Sequence, residues 1–222
     1  MNSRKYHSPS RLDSAARTRE TILGSAYALF LDRGYSGVTI GDIAKAANVA
    51  VPTVYSSAGS KSGILLTLLE PALTDPAVAE CLAAVEASGD PYEVVRLTAD
   101  GTRRTHERHW DLVYGIFYRD PPGEATVKAV LDRGKDDFVQ ALTRVAERLV
   151  TLGSLRPEVD MAYALDVLWF YFGPHAWTTL VGQRGWTFDR AETWATRAAE
   201  HALLLPRTAD PAQPDADGAD PS

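Results

Sequence analysis

Val51, Thr53, Tyr55 and Ser56 crowd into the segment Val51-Pro-Thr-Val-Tyr-Ser56, just after a bend centred on Asn48. Pro52 fits a first helical turn, where its missing amide hydrogen costs nothing, and Val54 can pack inward, which leaves the other four side chains on a free face. Hydroxyls can bond phosphate oxygens, and a Val or Thr methyl can touch a thymine methyl. That is chemistry suited to duplex DNA. The preceding segment, from Thr39 to Ala47, supplies a helix with an inward stripe of Ile40, Ile43, Ala44 and Ala47, an N-cap in Thr39 and an acidic first turn in Asp42. Asn48 tolerates the positive φ of a tight turn, so the two helices form a helix-turn-helix pattern.

Other reactive residue types carry less. His106 and His109 stand three apart on one helix with Glu107 and Asp111 nearby, a spacing metal sites use. Arg103, Arg104 and Arg108 flank them, so no metal is expected, and a ligand-polar or solvated role is. Cys81 has no second cysteine to pair with and reads as packing. Gly59-Ser-Lys-Ser-Gly63 is not a phosphate loop, because its Lys does not directly follow a Gly and no strand precedes it. With no nucleophile elbow, no supported Cys/His pair and no carboxylate pair set apart from the surface charges, the chain is not expected to be an enzyme or to carry a cofactor.

The elements that must hold these residues are all helical. Ile22, Ala26, Leu29 and Phe30 recur at helical spacing, so a first helix spans 18–33 and stops at Gly34. After the helix-turn-helix, Ser60 caps a fourth helix that ends at Pro71, and further helices fall near 76–88, 91–109, 111–118, 124–151, 159–181 and 188–205. No period-2 strand is found. Residues 1–14 read as a polar arm bearing Arg4, Lys5 and Arg11, and 206–222 as too poor in apolar residues to order.

The net charge of −6 conceals an asymmetry. Residues 1–70 carry eight Lys/Arg against five Asp/Glu, or +3, and the remainder fifteen against twenty-four, or −9. A polyanion partner is therefore expected for the front alone. No apolar run approaches the roughly 20 residues of a membrane span, and no secretory signal is read, so a cytoplasmic location is expected.

Taken in order, Thr18-Arg-Glu-Thr-Ile-Leu23, Leu29-Phe30, Arg33-Gly-Tyr35, Val38-Thr39, Ile43-Ala44, Ala47, Val49, Pro52-Thr-Val-Tyr55, Ser60-Lys61 and Leu65-Leu66 resemble the TetR-type transcriptional regulators. The resemblance implies a dimer placing two reading heads in successive major grooves, about 34 to 36 Å apart. By position it gives Thr39, Tyr55, Ser56 and Lys61 phosphate contacts and Val51 and Thr53 base-edge contacts, with Pro52 in the same segment. The chain departs from the pattern at Ala50, where a Ser usually caps the third helix, at Val51 and Ser56-Ser57, and at Ala58, where a core Phe is usual. The family further implies that the last two long helices build a four-helix dimer interface. Leu165, Leu168, Phe172, Trp177 and Leu180 supply the apolar area for it.

The sequence therefore predicts an all-α protein: an arm (1–14), a DNA-binding domain (15–70), a helical ligand-binding and dimerisation domain (71–205) and a tail (206–222). Its expected partners are double-stranded operator DNA, a second copy of itself and an apolar or aromatic small molecule whose arrival releases the operator. A helical partner-binding protein with impaired DNA binding is the first alternative, and an enzyme the last. Trp110, Tyr114, Phe117, Tyr118, Phe138, Tyr163 and Trp169 could line a cavity for the small molecule. The same residues could equally be core or dimer interface.

Overall fold

The computed structural model describes residues 9–118 and 120–206, and the fold consists of these. They form twelve helical elements: α1 (Pro9–Arg33), α2 (Ile40–Ala46), α3 (Val51–Ala58), α4 (Lys61–Leu73), α5 (Pro76–Ala87), α6 (Pro91–Arg108), the wide-turned α7 (Asp111–Tyr118), α8 (Ala125–Thr151), α9 (Met161–Phe172), α10 (Pro174–Trp177), the wide-turned α11 (Thr178–Gln183) and α12 (Phe188–Leu203). The one strand-like pairing among the described residues is an antiparallel bridge between Leu155 and Leu204. Residues 1–8 of the expected arm and 207–222 of the expected tail lie outside the described residues.

Three helix boundaries differ from expectation, each for a local reason. The first helix starts at Pro9, well before Thr18, because residues 13–17 are exposed and carry no apolar stripe to betray their helicity. The fourth runs through Pro71 to Leu73. Proline removes the bond to the Thr67 carbonyl, but position 71 is exposed, and Thr74 closes the helix by donating its amide (3.0 Å) and hydroxyl (2.8 Å) to the Glu70 carbonyl. The single helix expected over 159–181 is broken at Gly173, which is extended (φ −69°, ψ 162°) because Pro174 follows it.

The apolar residues condense into two cores. One gathers Ile22, Phe30, Tyr35, Ile43, Val54, Ile64 and Leu65 from α1–α4 and extends beyond residue 70 to Leu112 and Ile116 of α7 and Val127 of α8. The other fills the body with Val94, Val95 and Ala99 of α6, Leu142, Val145 and Leu149 of α8, Leu168 and Phe172 of α9, and Ala195 and Ala199 of α12. Head and body are also tied by polar bonds: the Tyr35 hydroxyl donates to Glu124 (2.8 Å), and the Ser36 amide and hydroxyl donate to Asp120 (2.6 and 2.9 Å).

The residues expected on the dimer face are redistributed. Leu168, Phe172 and Trp177 are buried inside the protomer, and Leu165 is half-buried against the body core. Leu180 is half-buried as well. α9 is apolar on nearly every side, so composition does not tell its inner face from its outer one. The aromatic side chains that do reach solvent there are Tyr163, Phe170 and Trp194.

Candidate nucleic-acid interface and internal cavity

The reading head is built by local capping. Thr39 accepts from the Asp42 amide (3.1 Å) while Asp42 accepts from the Thr39 amide (2.9 Å), so each satisfies a donor the helix start leaves unpaired. These bonds from Thr39, its hydroxyl first, hold the Asp42 carboxyl below its ordinary pKa. Asn48 takes φ 53° at the bend, as its position requires. α3 then starts at Val51 with no side-chain cap, because Ala50 has nothing to offer. Replacing Ala50 by Ser should raise stability by about 0.5–1 kcal/mol, seen as a higher midpoint in urea with an unchanged slope; no rise would mean that the start of α3 is satisfied otherwise.

Val51, Pro52, Tyr55 and Ser56 are exposed on one face of α3, with Thr53 half-exposed beside them and Val54 fully buried behind. The free face expected from sequence is therefore present. Arg17 lies on α1, where it shares a groove with Ala47 and Val49 of the turn, which sets a cation beside the reading head. Lys61 is placed differently from the expected phosphate contact. Its ammonium donates to the carbonyls of Tyr35 (2.8 Å) and Val38 (2.9 Å) and sits 4.1 Å above the Tyr35 ring. Those carbonyls lie in the turn after α1 and offer lone pairs to a cation, so Lys61 is drawn inward and one N–H is left for anything else. Ala58 packs partly buried against the head core, in the position where a larger side chain would have anchored it.

The body holds a cavity of about 500 Å³ walled by α4, α5, α6, α8, α9 and α10. Leu73 closes it at the end of α4, and Val78, Cys81 and Leu82 line it from α5. α6 contributes Thr98, Gly101, Thr102, Thr105 and His106, and α8 contributes Leu131, Lys135, Phe138, Ala141, Leu142 and Val145. Trp169, Pro174 and His175 complete the wall. Gly101 lets α6 approach α5 closely along this wall: a Cβ there would lie 2.5 Å from Cys81 Sγ.

Of the aromatic residues expected at a ligand, Phe138 and Trp169 line this cavity. Trp110, Tyr114 and Tyr118 instead stack on one another (4.8 and 5.4 Å between centroids), Trp110 meets Phe188 edge-on, and the Tyr114 ring packs against Gly182. That ladder joins α7 to α11 and α12 away from the cavity. Tyr163 is exposed on α9, and the side chain of Phe117 lies outside what is described. Sequence reasoning misses Cys81 and the Thr98, Gly101, Thr102 and Thr105 strip as cavity wall. The strip's spacing of small residues on one face of α6 is the signal available.

The two histidines turn to different partners, which removes the basis for a shared metal, and no group of three potential ligands is found among the described residues. His109 Nε2 lies 2.8 Å from Asp75, whose carboxylate also receives Arg108 (2.7 Å) and the Ala77 amide (2.9 Å). Burial raises the pKa of Asp75, but these donors outweigh it and leave it below the ordinary value. His106 is buried, its ring stacked 5.8 Å from Trp177, and its Nδ1 donates to the Thr102 carbonyl at 2.7 Å.

Burial dominates the His106 environment and lowers its pKa to about 4. Between the unfolded value of about 6.5 and that folded value, only the unfolded chain takes up the proton, so stability falls as pH drops across this window. The full loss is on the order of 3 kcal/mol for this group. His106→Phe should flatten the dependence of urea midpoint on pH between about 4 and 6.5; an unchanged slope would place the titrating group elsewhere.

A capped helix-turn-helix with a free polar face is thus carried by a helical body that holds a largely apolar cavity. Residues 22–68 of the head match the family model described as bacterial regulatory proteins, tetR family. The remainder has the fold of such regulators. The chain is similar to NalD, the secondary repressor of the MexAB-OprM multidrug efflux pump in Pseudomonas aeruginosa, with a TM-score of 0.66, 20% identity and coverage of 86% of this chain and 98% of that one. PfmR of Thermus thermophilus, a TetR family transcriptional regulator, gives 0.61 at 24% identity, covering 84% and 96%. FadR of Bacillus subtilis, solved with stearoyl-CoA, gives 0.64 at 13% identity, covering 82% and 98%. A sequence search of curated proteins finds no match.

Proposed function

We propose that this protein is a ligand-responsive DNA-binding transcription regulator, a repressor that leaves its operator when a small apolar molecule fills the body cavity. The observation that carries the reading is α4. Its first half contributes Ile64 and Leu65 to the head core, and its last residue, Leu73, is part of the cavity wall. A ligand that displaces Leu73 therefore acts directly on the helix that carries the head. Only a difference in ligand affinity between DNA-competent and DNA-released forms can shift the balance between them.

Val51 and Thr53 are assigned to base edges, with Tyr55, Ser56, Thr39 and Arg17 following the backbone. Lys61 serves the head's internal structure first. The protein works as a homodimer, with Phe170 and Tyr163 of α9 and Trp194 of α12 the exposed aromatic surface that a second copy would cover. Binding of a stearoyl-CoA ligand by a protein of the same fold supports an effector site in the body. No helix is long and apolar enough to cross a membrane among the described residues, which agrees with a cytoplasmic regulator.

The test is fluorescence anisotropy of the full chain with labelled duplex from the region flanking its own gene, across a series of salt concentrations. Affinity falling steeply and linearly with salt on logarithmic axes is expected. Absence of binding at low salt would overturn the reading.

A further inference from the structure

The polar side chains that α5 and α6 contribute to the cavity share one property: their hydrogens are already committed, whereas the Lys135 ammonium, contributed by α8, sits 5.6 Å over the Trp169 ring. The hydroxyls of Thr98, Thr102 and Thr105 donate to the carbonyls of Val94 (2.8 Å), Ala99 (3.0 Å) and Gly101 (3.0 Å). The Cys81 thiol donates to the Leu97 carbonyl at 3.3 Å. Each therefore presents only lone pairs to the space it faces. His106 completes the pattern. Since a carbonyl can only accept, the 2.7 Å contact to Thr102 puts the ring proton on Nδ1 and leaves Nε2 as a bare acceptor, for which no protein partner is found among the described residues. The ring is also held in place. Trp177 stacks on it at 5.8 Å and Phe138 meets it edge-on at 6.4 Å.

We infer that the cavity is built for a largely apolar molecule bearing a hydroxyl or N–H group, which donates its hydrogen to Nε2 of His106. This rests on the cavity being the effector site, as proposed above. An aliphatic or aromatic body matches the rest of the wall, which includes Leu82, Phe138, Leu142, Val145 and Trp169. The low basicity of the buried imidazole keeps its lone pair free at neutral pH, so the acceptor is present throughout the physiological range.

The test compares 4-tert-butylphenol with its methyl ether, 4-tert-butylanisole, by calorimetric titration of the full-length protein. The two probes share an apolar body and differ in the single donor. The phenol is expected to bind roughly five- to tenfold more tightly than the ether. In His106→Phe, which keeps an aromatic ring between Trp177 and Phe138 but has no acceptor, the two should bind alike, with the ether near its original affinity. Ala141→Trp, which fills the space, should abolish both. Equal affinities in the unaltered protein, both lost in Ala141→Trp, would overturn the donor requirement while leaving the cavity as a ligand site. If neither probe binds, or if both bind regardless of Ala141→Trp, the inference and the effector role of the cavity fall together. The comparison in the unaltered protein decides the matter even if His106→Phe does not fold.

Discussion

Replacing Tyr55 by Ala weakens operator binding about tenfold or more at physiological salt, roughly 1.4 kcal/mol, while the unfolding midpoint and the oligomeric state stay where they were. Exposure is the reason. Tyr55 is 54% exposed on the free face of α3 and packs against neither core, so removing its ring leaves the head intact. What is removed is a hydroxyl and a ring edge at the place where the proposed interface sets a nucleic acid backbone. Anisotropy with the operator and a thermal melt on the same sample measure both quantities. Unaltered affinity would strike Tyr55 from the interface, and a large drop in the melt would show that it serves the fold instead.

Trp177→Ala should cost about 3–5 kcal/mol of stability, the range for deleting a large buried aromatic side chain. Trp177 is 1% exposed, donates its indole hydrogen to the Phe172 carbonyl (3.2 Å), stacks on His106 and lies 5.9 Å from Phe188. All of these contacts are made within one protomer. Urea unfolding at several protein concentrations separates a core position from an interface position: a loss independent of concentration fits the core. A loss that grows on dilution, with dissociation to monomers, would return Trp177 to the subunit interface where its place in the sequence suggests it.

What can be read from the chain without coordinates divides along physical lines. The head is legible because its signals are local: Thr39 and Asp42 form a capping box within three residues, Asn48 takes positive φ in a turn, and Ile22, Ala26 and Phe30 repeat at helical spacing. The body is legible as helices but not as surfaces. Whether Trp169 faces a cavity or Tyr114 faces a neighbouring helix depends on how distant helices meet, and no periodicity within one helix contains that information. The same holds for Lys61. Its partners are carbonyls of residues 35 and 38, far away along the chain, so a lysine that looks free in sequence is engaged in space. Pro71 and Gly173-Pro174 show the divide at the scale of single residues. One proline is absorbed by the exposed end of a helix and the other breaks one, with the difference set by whether the preceding residue must remain helical.

The central claim is that α3 enters the major groove, once from each subunit of a twofold dimer. A hydroxyl-radical footprint on the DNA flanking the gene measures this directly. Two symmetric protected patches are expected, their centres about 10–10.5 base pairs apart or a multiple of that, both lost when Val51, Thr53 and Tyr55 are replaced together by Ala. Uniform cleavage at low ionic strength, where attraction to phosphate is strongest, or protection that survives the triple replacement, would contradict it.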